Sequence, residues 1–465
     1  METSTETSSA SARGQWTSRA GFVLAAAGSA IGLGNIWRFP YVTGQNGGAA
    51  FIIISLLCVV FICLPYLFAE LALGRHSQKN PVGAIQAIKE RTPWALVGGL
   101  CVLTGVCILS YYAVIAGWLV GYVFKDIVSP GMGFGEFVSA PALVVPLLAL
   151  FVLATILVVR GGVEKGIERW TSLLMPILLV LIAVVIVRSV TLDGAGEGLS
   201  FLLNPDFSKV DAGVVLQAMG QAFFSLSLGM GAMITYGSYL PKSENLLASG
   251  LWVAVFDTGI AIMAGFMIFP AVFAVGREPG AGPELVFAVL PEVFAAMPLG
   301  TVVGVVFFLL LSIAALTSTV SLLEVVVSYF VDERRWARSR SVWTVGALTF
   351  VLGLPAALSA GASQTLTDMS WLVGEQGFLG ATDFLSIMDA IWGNIALALG
   401  ALLLSIFVGW VWGTRSAADE IKTGSSFSGA AVTVWSVFVR FICPIVIFLV
   451  LLTKMGVDPL AWLGG

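Results

Sequence analysis

Charge is what this sequence has least of. Lys, Arg, Asp and Glu make up 11% of its 465 residues, against 58% for hydrophobic ones. A soluble domain covers its surface with roughly a quarter charged residues, so the solvent for most of this chain is lipid. Histidine is almost missing. The single His76 lies in a basic loop, which removes most histidine-based catalysis and metal binding. The five cysteines (Cys58, Cys63, Cys101, Cys107 and Cys443) all fall inside apolar runs, without zinc or disulfide spacing, and read as packing residues. A net charge of −4 with scattered basic residues leaves no footprint for nucleic acid. Before Phe22 the chain is polar, without the short apolar core and cleavage site of a removable signal peptide.

Present instead are apolar runs long enough to cross a bilayer, near 21–43, 49–73, 95–124, 141–159, 167–190, 213–240, 246–275, 296–330, 340–359, 384–413 and 430–453. Lipid cannot satisfy exposed backbone groups, and no alternating barrel pattern is visible, so the spans are predicted to be helices. The expected fold is an all-α integral membrane protein of about eleven transmembrane helices. Basic residues set its orientation. With the N-terminus in the cytoplasm, 16 of the 23 Lys and Arg fall on inner segments, among them Arg13, Arg75, Arg169, Lys242, Arg338 and Arg415. Six fall outside, and Arg440 lies within the last span. This predicts a multi-pass protein of the cell (inner) membrane, N-terminus inside and C-terminus outside.

The first span contains Ile31-Gly32-Leu33-Gly34 and the sixth Leu228-Gly229-Met230-Gly231. Two runs of five helices put these in corresponding places, and an odd number makes the second run inverted. The expected organisation is a tail at 1–20, a first repeat at 21–190, a second at 213–413 and an extra helix at 430–453. Paired Gly-x-Gly sites weaken a helix by roughly 1 kcal/mol per glycine, and breaks in matching positions point to a transporter's binding site. Gly117 and Gly121, four apart, read instead as close helix packing. A broken first span frees carbonyls for a hard cation and N–H groups for a carboxylate. Asn35 adds a neutral oxygen, Ser225 and Ser227 add hydroxyls with Phe224 as an aromatic wall, and Thr317 and Ser318 stand in the eighth span.

Over nearly the whole chain these stretches resemble the neurotransmitter:sodium symporter family, in its bacterial hydrophobic amino-acid transporter branch. The resemblance rests on Arg13-x-x-Trp16, the first-span motif, Asn46-Gly47-Gly48, Tyr66-x-x-x-Glu70-x-x-x-Gly74-Arg75, Tyr111-Tyr112, Gln221-Ala222-Phe223-Phe224-Ser225-Leu226-Ser227 and Leu316-Thr317-Ser318.

The resemblance implies two sodium ions and no organic cofactor. The first ion is expected at the Ala30 carbonyl, Asn35, Ser225, Asp257 and the substrate's carboxylate. The second is expected at the carbonyls of Gly28, Ile31 and Ala314 with the hydroxyls of Thr317 and Ser318. Substrate is expected against Ala30 and Ser225, its carboxylate at the Leu33 and Gly34 amides and the Tyr112 hydroxyl. Ile108, Phe224, Ser227, Met230, Ser318 and Leu322 then surround its side chain. Monoamine-transporting relatives carry an acidic residue where this chain has Gly32, so a hydrophobic or aromatic L-amino acid is the implied substrate. Asp257 replaces the family's commoner Asn, and Ser55 stands where a chloride-site tyrosine is usual. A fixed carboxylate there implies transport without chloride, with Asp257 taking a proton when sodium leaves.

The resemblance further implies an outer gate of Arg38 and Asp389 with Tyr112 and Phe224, and an inner gate of Arg13, Trp16, Tyr239 and Asp332. Glu70 is expected to brace the broken sixth helix. Gly166-x9-Pro176 is expected to let the fifth helix unwind toward the second sodium. Glu324 and Arg440 receive no role. An ion channel needs a continuous polar pore, which is not evident, and an enzyme needs a nucleophile–base pair or metal cluster, also not evident. A membrane sensor that binds an amino acid with sodium but moves little of it stays open.

Overall fold

The computed structural model describes residues 14–129, 131–277, 285–295, 298–426 and 428–459. Helices dominate because every apolar segment must close its own backbone hydrogen bonds. Their ends are written in the sequence as capping side chains. Ser18 accepts from Gly21 N, Asp211 from Val214 N, Asn245 from Ala248 N, Asp383 from Ser386 N and Ser428 from Ala431 N.

The spans, numbered in chain order, are α1a (Arg19–Ala30) and α1b (Gly34–Gln45), α2 (Ala49–Ser77), α3 (Ala95–Val128), α4 (Pro141–Arg160) and α5 (Val163–Val190). Then follow α6a (Ala212–Ser225) and α6b (Ala232–Gly237), α7 (Leu246–Ala274), α8 (Gly300–Glu333), α9 (Arg338–Leu358), α10 (Phe384–Lys422) and α11 (Gly429–Lys454). Among the described residues, nine helices are long and apolar enough to cross a membrane, or ten with α1a and α1b counted as one span bent by 54°. The expected eleven is reached only by adding the divided α6, which that measure of length and composition does not count.

Depth in the bundle follows from the side chains. In α3, 78% of the most apolar window is buried, against 28% in α5, which presents Leu173, Val180, Val184 and Val187 outward. Gly117 and Gly121 sit where a Cβ would stand 3.1 Å from the Leu147 backbone and 2.7 Å from the Leu147 side chain, so they serve close packing of α3 on α4, as read from their spacing. Short helices outside the expected spans include Pro81–Ile88, Ala195–Leu203 and Leu285–Ala295. They are too short to show in an apolar window.

Candidate functional site

Both Gly-x-Gly sites are breaks. The α1a helix stops at Ile31, whose ψ of 108° leaves the helical region, and α1b restarts at Gly34. The α6 helix is interrupted between Ser225 and Ala232. There Ser227, Gly229 and Gly231 take φ of +53°, +86° and +80°. Glycine enters that region without Cβ strain. Ser227 does not, and its hydroxyl is held by donating to the Ser29 carbonyl at 3.0 Å. That bond ties one break to the other. A second tie is Gln221, whose Nε2 donates to the Gly34 carbonyl at 2.9 Å. Glu70 meets the α6 break, accepting from Gly229 N at 2.8 Å.

A small central pocket of about 40 Å³ lies between the breaks, lined by Ala30, Gly34, Ile108, Tyr112, Phe224, Ser227, Met230, Ser318 and Leu322. Leu33 N donates to the Tyr112 hydroxyl at 3.1 Å. Gly32, which the sequence had marked as the position that tells an amino acid from an amine, lines the pocket too, and two further lining residues, Ser29 and Ser321, had not been singled out. Ser29 and Ser321 hydroxyls meet at 2.7 Å across α1a and α8, and the spacing of Ser318 and Ser321 on one helix face was the available signal. A Cβ at Gly32 would fall 2.6 Å from Ser318 Oγ and 2.7 Å from the Tyr112 hydroxyl.

Beside the pocket, Asn35 Nδ2 donates to Asp257 Oδ1 at 2.7 Å and to Ser225 Oγ at 2.9 Å, and Ser225 Oγ donates to Asp257 Oδ2 at 2.9 Å. All three side chains are buried. A cation among them would take the Asn35 amide oxygen in place of its N–H, which makes the set all-oxygen and suits a hard ion. Ser55, Ser225 and Asp257 line one small cavity of about 20 Å³, near the volume of a single water. The second set also converges. Thr317 Oγ1 and Ser318 Oγ donate to the Ala314 carbonyl at 2.9 and 3.3 Å, and Ser318 Oγ also reaches the Ile31 carbonyl at 3.2 Å. Gly28 packs there, a Cβ on it lying 3.2 Å from Thr317 Cβ. Among the described residues no group of three or more His, Cys, Asp or Glu comes together as a metal site. The cation ligands on offer are therefore carbonyls, hydroxyls and single carboxylates.

On one side of the pocket opens a vestibule of about 300 Å³, lined by Arg38, Tyr111, Tyr112, Phe224 and Asp389 among others. Gly34, Tyr112 and Phe224 line both spaces, so the two rings stand between them. Arg38 and Asp389 make no ion pair here. The Arg38 guanidinium lies over the Phe224 ring, 4.6 Å from its centre. Asp389 accepts from the Tyr111 hydroxyl at 2.9 Å and from Asn394 Nδ2 at 3.0 Å. A pair expected from sequence is thus parted, because each member has found a nearer partner.

The opposite side is closed. Trp16 is buried against Phe22, Tyr236 and Tyr239, and its Nε1 donates to the Tyr236 carbonyl at 2.9 Å. Arg13 lies outside the described residues. Tyr239 and Asp332, expected beside Arg13 in the inner gate, each hold a described partner of their own. The Tyr239 hydroxyl donates to Glu324 at 2.6 Å, while Asp332 accepts from Asn80 N at 2.9 Å. Glu324 in turn is gripped by Arg338, at 2.5 and 3.0 Å, and Arg338 also donates to the Val159 carbonyl. Glu324, left without a role by the sequence, therefore joins α4, α6b, α8 and α9. The sequence conceals this because the two charges, fourteen residues apart, are brought together only by the turn between α8 and α9.

The start of α5 is helical in this structure. A Cβ on Gly166 would stand 2.2 Å from the Val158 carbonyl, and Pro176 lies inside the helix. Glu168 between them accepts from Thr17 N at 2.8 Å, Thr17 Oγ1 at 2.6 Å and Ser18 Oγ at 3.2 Å, tying α5 to the head of α1a. The sequence reading missed this contact.

Two discontinuous helices facing each other in a multi-pass bundle, with inward-turned carbonyls and amides at the break, define a secondary transporter. The family model described as "Sodium:neurotransmitter symporter family" matches residues 13–130 and 136–460, and the chain belongs to that family. It is 38% identical over 452 residues to an uncharacterized sodium-dependent transporter of Bacillus subtilis (YhdH), covering 95% of this chain and 98% of the relative. It is 31% identical over 400 residues to the sodium-dependent serotonin transporter of Drosophila melanogaster, covering 73% and 63%. A solved structure, MhsT in complex with L-phenylalanine, superposes with a TM-score of 0.84 at 45% identity, over 95% of this chain and 100% of that one. The protein is a sodium-coupled transporter, and not an enzyme.

Proposed function

We propose that this symporter takes up hydrophobic or aromatic L-amino acids with two sodium ions, by alternating access and without chloride. The observation that carries the reading is the pair of cross-tied breaks around a pocket whose far wall is Ile108, Phe224, Met230 and Leu322. The amides of Leu33 and Gly34 at the break, the first of them on the Tyr112 hydroxyl, suit a carboxylate, the apolar wall suits a hydrocarbon or ring, and Met adapts to either. Gly32 favours an amino acid over an amine, since its neighbours leave no room for the acidic side chain that an ammonium group needs there. The likeness to MhsT with L-phenylalanine supports the same class.

The first sodium takes the Ala30 carbonyl, Asn35, Ser225, Asp257 and the substrate carboxylate. The second takes Gly28, Ile31, Ala314, Thr317 and Ser318. A shared carboxylate makes each solute improve the other's site, which is the coupling. Asp257 supplies a fixed negative charge beside Ser55 in place of chloride and takes up a proton when sodium leaves. Arg38 moves from Phe224 to Asp389 as the outer gate shuts. The vestibule faces outward and the Trp16 side inward, in keeping with the basic residues.

Uptake of labelled L-phenylalanine and L-leucine into proteoliposomes tests this. Accumulation above equilibrium under an inward sodium gradient, unchanged when gluconate replaces chloride, is expected. Sodium-dependent binding without accumulation would instead mark a sensor, and uptake indifferent to sodium would end the proposal.

A further inference from the structure

Arg440 is a cation inside the apolar run of α11, and transport leaves it unused. Its guanidinium lies over the Trp410 ring of α10, 4.1 Å from the centre, while Trp410 Nε1 donates to the Arg440 carbonyl at 3.0 Å. The helices meet closely here because position 409 is glycine, where a Cβ would stand 3.1 Å from Arg440 Cα. Just beyond, Gly413 takes a φ of +89°, and Thr414–Lys422 forms the basic-ended last segment of α10. Between that segment and α11 runs a groove of about 360 Å³ holding Arg415, Lys422 and Arg440, with the hydroxyls of Thr433 and Ser436. Three cations face one carboxylate, Asp419, which lies 3.3 Å from Lys422 Nζ. Neither Arg415 nor Arg440 has an ion pair among the described residues.

The depth of the groove identifies its ligand. The 26 residues of α11 span about 39 Å, more than the roughly 30 Å of hydrocarbon, so its first turns rise to the headgroup level. Long side chains on a helix lean toward its N-terminus, which carries the Arg440 guanidinium up toward Arg415. This is the face of the protein where Arg75 and Lys242 clasp Glu420. On the lipid side of the groove, Trp410, Val437 and Phe441 are exposed. A pair of cations, Arg415 near the start of Thr414–Lys422 and Arg440 about 16 Å down α11, beside exposed apolar side chains matches a phosphate that carries acyl chains.

We propose that this groove binds the phosphate of an anionic phospholipid from the leaflet on that face, its chains lying along Trp410, Val437 and Phe441. Native mass spectrometry of the detergent-purified full chain tests it, with phosphatidylglycerol, phosphatidylcholine and inorganic phosphate as probes. Phosphatidylglycerol should be retained and phosphatidylcholine lost. Arg415→Gln/Arg440→Gln should weaken retention by roughly five-fold for each cation removed, and should abolish the rise in Tm that phosphatidylglycerol produces. Should the double variant not fold, Arg415→Gln alone, a change at an exposed side chain, carries the same comparison. Equal retention by the variant, equal retention of phosphatidylcholine, or full displacement by inorganic phosphate would each overturn the assignment, the last in favour of a free-anion site.

Discussion

Glu70 on α2 accepts a hydrogen bond from Gly229 N at 2.8 Å, at the point where α6 has no helix of its own to satisfy that group. Both partners are buried, so the bond has no water to replace it. Glu70→Ala leaves a bare N–H and should destabilise the protein by about 2 kcal/mol, whereas Glu70→Gln retains an acceptor and should lose less. Thermal unfolding in detergent reads the difference. If the alanine variant melts with the wild type, the brace is not structural.

Gly32→Asp brings a side chain against Ser318 Oγ and the Tyr112 hydroxyl. Amino-acid uptake should fall by at least ten-fold, since a wrong contact of about 1.4 kcal/mol suffices for that. Uptake at the wild-type rate would mean that Gly32 does not line the occupied pocket.

Asp257→Asn keeps the shape of the bonds to Asn35 and Ser225 but removes the charge. Sodium-driven uptake should become dependent on external chloride, and proton release coupled to sodium entry should disappear. Ion dependence identical to the wild type would remove Asp257 from the role given to it.

Buried Glu324 and the partly buried Arg338 form a pair that Tyr239 completes. Removing one partner strands the other's charge, typically at 3–5 kcal/mol. Glu324→Gln and Arg338→Gln should each lower Tm and expose a cysteine introduced at Trp16 to thiol reagents. The double variant Glu324→Gln/Arg338→Gln should lose less than the two single losses added together. Two single losses that add fully in the double variant would show that the pair is not coupled.

Gly21→Ala places a Cβ 1.8 Å from Glu168 Oε1, so the carboxylate must leave Thr17 and Ser18. The head of α1a should loosen from α5, shifting the protein toward its inward-open form. Faster thiol labelling near Trp16, with sodium slowing it less than in the wild type, is the expected reading. Labelling at the wild-type rate would place the anchor elsewhere.

Much was legible in the chain itself. The apolar runs located nine spans by length, because lipid enforces helix wherever it meets backbone. The Gly-x-Gly pairs marked both breaks, the second because Gly229 and Gly231 turn left-handed, the first because Gly32 and Gly34 sit where a Cβ would crowd Ser318, Tyr112 and Phe224. The oxygen donors Asn35, Ser225, Asp257, Thr317 and Ser318 stood out because polar groups are scarce in lipid. Partners were not legible. Glu324 was given no role and meets Tyr239 and Arg338 in the structure, and Arg38 was paired with Asp389 but lies over Phe224. The anchors at Glu168 and the pocket residues Ser29 and Ser321 were also missed.

The division has a physical cause. Composition and local pattern determined that this chain lives in lipid, where its helices run and where they break, since those depend on each segment's own contact with solvent and its own backbone freedom. Tertiary structure alone decided which charges pair and which side chains share a pocket, because distances across a bundle depend on crossing angles and turns. Arg338 reaches Glu324 and Ser227 reaches Ser29 only after the whole bundle has assembled.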